Sequence, residues 1–170
     1  TLSGGMALTH AAADRWKEVT GCGIREGYGL TETSPVVTLN PYDDIRVGYI
    51  GKPIVGTEVM VVDEEGNKLA NGEEGELCVR GPQVMAGYWN RAEATAEVML
   101  DDWFKTGDVA IIADDGFVRL VDRKKDMIIV SGFNVYPNEI DDLASQHPGI
   151  VECAAVGIPH ESSGEPVKLF

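Results

Sequence analysis

The densest run of reactive residue types is Glu26-Gly27-Tyr28-Gly29-Leu30-Thr31-Glu32-Thr33. Glycines on either side of Tyr28 let the backbone come close to a flat ligand, while the phenol ring offers a face for stacking. The Thr31 hydroxyl suits a phosphate oxygen. Glu32 supplies a hard oxygen ligand of the kind Mg²⁺ takes one or two at a time while sharing phosphate oxygens. Read alone, type and spacing favour a plain glycine-rich turn with a capping threonine and a surface glutamate.

Two further stretches carry similar chemistry. Trp103-Phe104-Lys105-Thr106-Gly107-Asp108 puts a carboxylate after a glycine at a strand's edge, where it can accept both hydrogens of a ribose diol. Asp122-Arg123-Lys124-Lys125-Asp126 is followed by Ser131-Gly132-Phe133-Asn134 and Tyr136-Pro137-Asn138-Glu139-Ile140. Arg123 offers a fixed fork of donors to a ribose or a phosphate. Each also has an ordinary structural account: a turn aspartate, a solvated charge run, a capped helix start.

The elements that must position these residues change character along the chain. Thr1 to Leu8 reads as a short strand and loop. A helix follows, with Thr9 as N-cap, Leu8, Ala12, Trp16 and Val19 near helical spacing, and Gly21 as the stop. Ile24 to Gly29 then reads as a strand, and strand, helix, strand is an α/β signature. From about Val47 short β-rich runs take over: Glu58–Val62, Glu76–Arg80, Val109–Ala113 and Phe117–Val121. Asp63-Glu64-Glu65-Gly66-Asn67 and Asp114-Asp115-Gly116 are hairpin signals. One helix interrupts, with Asn90 as cap, Glu93 completing a capping box, and Ala92, Ala96 and Met99 on one face. Beyond Asp126, Met127–Val130 and Phe133–Val135 read as paired strands, and Pro137 opens a helix to about Gln146. Ile150–Val156 reads as a β-branched strand, and Leu169-Phe170 begins another.

Composition bounds the function. The 170 residues carry 28 acidic and 14 basic side chains, a net charge of −14, and no basic stripe, so a nucleic-acid partner is not expected. Acidity also argues against adsorption to an anionic membrane surface. Cys22, Cys78 and Cys153 are widely spaced, and His10, His147 and His160 cluster with none of them, which leaves neither a disulfide framework nor a zinc site and suits a reducing compartment. No apolar run has transmembrane length, and Thr1 to Gly5 has neither the basic lead nor the apolar stretch of a leader. The lack of a starting methionine and the apolar ending Val167-Lys168-Leu169-Phe170 suggest a chain cut at both ends.

The order of the motifs carries more than any one of them. Ser3-Gly4-Gly5, Tyr28 to Thr33, Lys105-Thr106-Gly107-Asp108, Asp122-Arg123, Gly132 and Pro137-x-Glu139-Ile140 together resemble the adenylate-forming superfamily. That group includes acyl-CoA synthetases, peptide-synthetase adenylation domains and luciferases. Arg80-Gly81-Pro82-Gln83-Val84-Met85-x-Gly87-Tyr88-Trp89 and Ser34-Pro35-Val36-Val37 look most like bacterial long-chain fatty-acid–CoA ligases.

The resemblance implies an α/β plus α+β fold. Residues 1–122 would close the large domain, with 1–46 its α/β part and 47–122 its β-rich part. Residues 123–126 would be a hinge, and 127–170 a truncated mobile domain. It also implies a cytoplasmic enzyme, in an alternative one peripheral on the inner membrane face, that uses ATP, Mg²⁺, CoA and a fatty acid. In such enzymes the acid attacks the α-phosphate of ATP, pyrophosphate leaves, and the thiol of CoA then displaces AMP from the acyl-adenylate.

Carried over by motif, Gly4 and Gly5 would lie near adenine and the acyl chain, within a nucleotide site that also includes Gly27 and Gly29. Tyr28 would pack on adenine, Thr31 touch phosphate, Glu32 bind Mg²⁺, and Asp108 hold the ribose with help from Arg123. Lys125 matches the pivot, and Gly132 the pantetheine path. The family's phosphate-cradling loop is expected before Thr1 and its C-terminal lysine beyond Phe170. Lys168 is not that lysine, because it sits in the strand start Gly164-Glu165-Pro166-Val167-Lys168. A ligase for another acid, a carrier-loading adenylation domain and a non-catalytic nucleotide-binding module stand as alternatives.

Overall fold

In the computed structural model of the chain, which describes residues 1–158 and 165–170, Leu2–Ser3 forms β1 and helix α1 spans His10–Thr20. β2 (Arg25–Gly29) then pairs with β1 in parallel, Leu2 opposite Arg25 and Ser3 opposite Glu26. Parallel strands need a crossover, which α1 supplies. Its ends are those expected from sequence. Thr9 is extended and its Oγ accepts the Ala12 N–H at 3.3 Å. Gly21 adopts φ 73° and its N–H bonds to the Lys17 carbonyl. Within α1 only Ala13 is buried, so the spaced Trp16 and Val19 do not mark a buried face and remain exposed.

β3 (Val36–Leu39) and β4 (Lys52–Pro53) extend this sheet antiparallel, in the order β1-β2-β3-β4. The loop between them is held from inside. Asn40 is fully buried, its amide donates to the Tyr49 and Arg46 carbonyls, and its Oδ1 accepts the Arg46 N–H. Glu26, also buried, accepts the N–H groups of Leu8 and Gly48. Burial pushes its carboxyl above the usual range, and those two N–H bonds and His10 pull the other way.

The second sheet is antiparallel. β5 (Glu58–Val62) pairs with β6 (Glu74–Arg80), and β6 with β8 (Trp103–Ile112), which also takes β7 (Met99–Leu100) and β9 (Val118–Arg123). Leu77, Cys78 and Val79 of β6 are all fully buried, so this central strand is covered on both faces. Ile50, Val61, Leu77, Ala110, Ile112 and Val118 form the core, with Tyr28 packed against it. The Asp114-Asp115-Gly116 hairpin forms as expected, with Gly116 at φ 85°. Asp63 closes its turn by accepting the backbone and side-chain N–H groups of Asn67, which hold its carboxyl below the usual range.

The interrupting helix α2 (Ala92–Val98) is not capped as expected. Asn90 sits at φ 54° as third residue of a turn closed by Arg91 N–H to the Tyr88 carbonyl, so it cannot be the extended cap residue. Asparagine tolerates this left-handed geometry, and the turn claims it first. Arg91 stands at the cap position without a side-chain cap bond, so Glu93 completes no capping box.

The chain divides into compact units Thr1–Leu120 and Val121–Phe170. In the second, β10 (Ile128–Val130) and β11 (Phe133–Val135) form a hairpin whose turn residues Ser131 and Gly132 both have positive φ, the primed turn that fits strand twist. α3 (Pro137–Ser145) begins with Pro137 at its first turn. Its cap comes from afar: Asp122 accepts the Asn138 N–H at 3.1 Å and the Asn138 side-chain amide at 3.0 Å. β12 (Ala155–Gly157) pairs with β13 (Val167–Leu169). The strand expected over Ile150–Val156 is therefore shorter. Val151 is exposed, and pairing begins only where Ala154 and Phe170 exchange bonds, because β-propensity needs a partner strand. Gly164 of the expected strand start lies outside the described residues. Among the described residues no helix is long and apolar enough to cross a membrane.

Asn40→Ala leaves the Tyr49 carbonyl and the Arg46 N–H without their partner, a cost of about 3 kcal/mol. Thr9→Ala removes only an exposed cap and costs about 1 kcal/mol. Urea unfolding of the two variants checks this ordering, and equal small losses would show that the loop after β3 is held some other way.

Candidate active site

β1 and β2 run parallel, so their carboxyl ends open on the same side, where α/β folds bind ligands. Gly4 follows β1 closely enough to β2 that a Cβ would lie 3.0 Å from the Gly27 carbonyl oxygen. Gly5, at φ 85°, opens onto free space. At the end of β2 the pairing slips: Tyr28 faces Thr38 but Gly29 faces Val36, which leaves Val37 as a bulge. A Cβ on Gly29 would fall 1.9 Å from the Pro35 carbonyl oxygen, so only glycine fits. The next turn, Thr31–Thr33, is knitted by buried Thr33, whose Oγ accepts the Leu30 N–H and donates to the Pro35 carbonyl. Thr31 is left exposed at the start of that turn.

A second bulge brings Asp108 to this place. Glu76 pairs with Val109 and Cys78 with Lys105, so Thr106, Gly107 and Asp108 all stand opposite Leu77. The extra length is absorbed by Gly107 at φ 75° and by Thr106, whose hydroxyl donates to the Leu77 carbonyl and accepts the Asp108 N–H. Bulges of this kind re-aim side chains. Here Asp108 Oδ2 receives the Tyr28 hydroxyl at 2.5 Å, across 80 residues of sequence.

Glu32 lies in a cleft of about 160 Å³ lined by Leu30, Glu76, Tyr88, Glu97, Lys105 and Gly107, the neighbour of Asp108, among others. That is less than the roughly 300–1,000 Å³ of a site enclosing a whole small ligand, so the cleft suits part of one. Glu32 Oε1 accepts the Tyr88 hydroxyl at 2.8 Å. This bond, then burial and the carboxylate's charge, push the Tyr88 phenol above its usual range. Among the described residues no three His, Cys, Asp or Glu stand together as a metal centre. Glu32 offers a carboxylate of the kind Mg²⁺ takes one or two of while phosphate and water supply its other oxygens, in a cleft that Glu76 and Glu97 also line.

The structure therefore brings together Gly4 with Gly27, and Tyr28 with Asp108, and places Glu32 in a cleft shared with Thr106 and Gly107. Arg123, Lys125 and Gly132 belong to the second unit. Arg123 and Lys125 are exposed in a turn closed by Asp126 N–H to the Arg123 carbonyl at 3.0 Å, and Gly132 occupies the hairpin turn. Sequence reasoning assigns no role to Tyr88, Asn40 or Thr33. For Tyr88 a signal exists: a glycine directly before a tyrosine just ahead of a helix, as Gly27 stands before Tyr28. The buried hydrogen-bonding roles of Asn40 and Thr33 leave no local mark.

Comparison with known proteins fits this geometry. The model for the AMP-binding enzyme family matches residues 1–89, just over half of the chain. The chain is 58% identical over 171 residues to a long-chain-fatty-acid–CoA ligase of Salmonella typhimurium, covering 100% of this chain and 30% of that protein. It is 41% identical over 169 residues to a feruloyl-CoA synthase of an Amycolatopsis species, covering 98% of this chain and 34% of that one. The solved structure of ATP-bound MatB from Rhodopseudomonas palustris superposes with a TM-score of 0.94 at 41% identity, over 99% of this chain and 34% of that chain. The chain thus spans about a third of the length of the relatives it matches. It belongs to the AMP-binding enzyme family.

Proposed function

We propose that this chain is the internal part of an ATP-dependent, AMP-forming ligase that joins long-chain fatty acids to CoA. The observation that carries the reading is the meeting of Tyr28 and Asp108 beside the Glu32 cleft, at the carboxyl ends of two parallel strands. The name of the Salmonella relative supports the acid, while the feruloyl-CoA synthase supports a second reading in which the acid is another one.

In this reading the acid's carboxylate oxygen bonds to the α-phosphorus of ATP and the bond to pyrophosphate breaks. CoA sulfur then bonds to the acyl carbon and AMP leaves. Gly4 and Gly5 give adenine and the acyl chain room. Tyr28 packs on adenine, Asp108 accepts the ribose hydroxyls with Arg123 assisting, and the exposed Thr31 hydroxyl donates to phosphate. Glu32 is the carboxylate that holds Mg²⁺, which when bound supplies neutralising charge to the phosphate oxygens. Gly132 lines the way in for pantetheine. Most of this is positioning and charge stabilisation, which is what phosphoryl chemistry asks of a protein. The phosphate-cradling loop and the C-terminal lysine expected of the family are not among these residues, and pyrophosphate release from ATP and palmitate by the chain alone is expected to stay at background.

Glu32→Gln in the intact enzyme keeps the shape and removes the charge from a metal ligand. Adenylation falls by roughly ten- to hundredfold, with a raised magnesium requirement. Pyrophosphate release measured against magnesium concentration checks this, and a wild-type curve would make Glu32 a plain surface residue.

Lys125 is proposed as the pivot about which the second unit turns between half-reactions, a change absorbed by a few backbone dihedrals. It is the third residue of the Arg123–Asp126 turn, and neither Lys124 nor Lys125 has positive φ. Proline at that position drives the residue before it, Lys124, out of the helical region and opens the turn. Lys125→Pro in the intact enzyme therefore stops thioester formation while largely sparing the adenylate. A split assay reads both: pyrophosphate release without CoA, then acyl-CoA yield once CoA is added. Equal losses in both halves would point to misfolding, and no loss in either would remove Lys125 from the pivot.

A further inference from the structure

Glu32 sits on a turn of three residues, Thr31–Thr33, which by itself does little to fix a long side chain. The segment Met85 to Tyr88 grips that turn at two points. The Met85 N–H donates to the Glu32 carbonyl at 2.8 Å, and the Tyr88 hydroxyl donates to Glu32 Oε1 at 2.8 Å. Tyr88 is itself held from behind. Its N–H donates to Thr95 Oγ at 2.9 Å, and the Thr95 hydroxyl donates to the Arg91 carbonyl at 2.9 Å. Gly87, at φ 150°, lies so close that a Cβ there would be 2.9 Å from the Thr95 methyl. The helix α2, which has no side-chain cap of its own, thus spends its first turn buttressing Tyr88.

Burial does not explain the pairing. Tyr88 and Glu32 are each only half-buried, and a phenol hydroxyl at that depth can be satisfied by water. What the bond does achieve is to fix the rotation of the Glu32 carboxylate in the cleft they share. Carboxylates that bind metals are characteristically held this way by an outer hydrogen bond, and loss of such a partner costs roughly ten- to hundredfold in metal affinity.

We propose that Tyr88 is the positioning residue for Glu32, orienting its carboxylate for the divalent cation that accompanies the nucleotide. The proposal rests on the reading of Glu32 as the magnesium ligand. In this role Tyr88 acts through its bond to Glu32.

The test uses the intact enzyme with Tyr88→Phe, Glu32→Gln, the double variant and Glu32→Asp. Calorimetric titration with ATP, with and without Mg²⁺, gives a readout independent of turnover. Tyr88→Phe leaves metal-free ATP binding within about twofold and cuts the enhancement by Mg²⁺ about tenfold. Half-saturating magnesium for pyrophosphate release rises by the same factor, with kcat recovered at saturating magnesium. In the Glu32→Gln background Tyr88→Phe adds nothing, since its effect runs through that carboxylate. Glu32→Asp keeps the charge but draws it back from the Tyr88 hydroxyl, so it reproduces the loss even if Tyr88→Phe does not accumulate. Additive effects, an equal loss of metal-free binding, or wild-type magnesium use by Glu32→Asp would each overturn the proposal. If Glu32→Gln shifts magnesium dependence and Tyr88→Phe does not, the role of Tyr88 alone falls. If Glu32→Gln shifts nothing, the metal reading falls with it.

Discussion

The Tyr28 hydroxyl on the Asp108 carboxylate is the contact on which the first unit's candidate site depends. Asp108 is only 9% exposed, and a carboxylate at that depth is costly unless it is hydrogen-bonded. Tyr28 meets that need while packing its ring on the core of the antiparallel sheet. Because Tyr28 belongs to the sheet of parallel β1 and β2, and Asp108 to the antiparallel one, a single bond fixes the two sheets at the point where the chemistry is proposed. Structure and site are therefore not separable here. A change at Asp108 removes the proposed ribose acceptor and an anchor for β2 together.

The same pairing explains why the site is built where strand regularity fails. A regular β8 would alternate its side chains evenly; instead Thr106, Gly107 and Asp108 crowd opposite Leu77, and the Thr106 hydroxyl mends the ladder where it is broken. A regular β2 would leave room for a side chain at Gly29, whereas here a Cβ would fall 1.9 Å from the Pro35 carbonyl oxygen. Local rules are broken at these candidate site positions and compensated nearby, by Thr33 for one bulge and Thr106 for the other.

What could be read from sequence follows from the range of the forces involved. Thr9, Gly21, Gly116 and Pro137 act on their own neighbours, so the ends they set were legible from a few residues. Asn90 was misread because one residue type serves both caps and left-handed turns, and the choice depends on Tyr88 and Arg91 closing the turn around it. Ile150–Val156 has β-branched residues but no partner strand along most of its length. Side chains proposed to bind nucleotide were legible as types in an order, whereas their partners were not. Nothing near Glu32 in sequence indicates Tyr88, and nothing near Pro137 indicates that Asp122 caps its helix.

Asp122 also couples two of the proposed roles. It precedes Arg123 and Lys125, yet its carboxylate is bound to Asn138, beyond them. If the chain turns at Lys125 as proposed, Asn138 moves relative to Asp122 although both lie in the second unit, and these two bonds open. Both go to a carboxylate that is only 6% exposed, and one of them satisfies a backbone N–H in the first turn of α3, so opening them is not free. A pivot upstream of Asp122 would spare the bonds, but Arg123, proposed to assist the ribose, would then move together with α3. A pivot at Lys125 therefore requires the bridge from Asp122 to Asn138 to be a feature of one state and absent from the other.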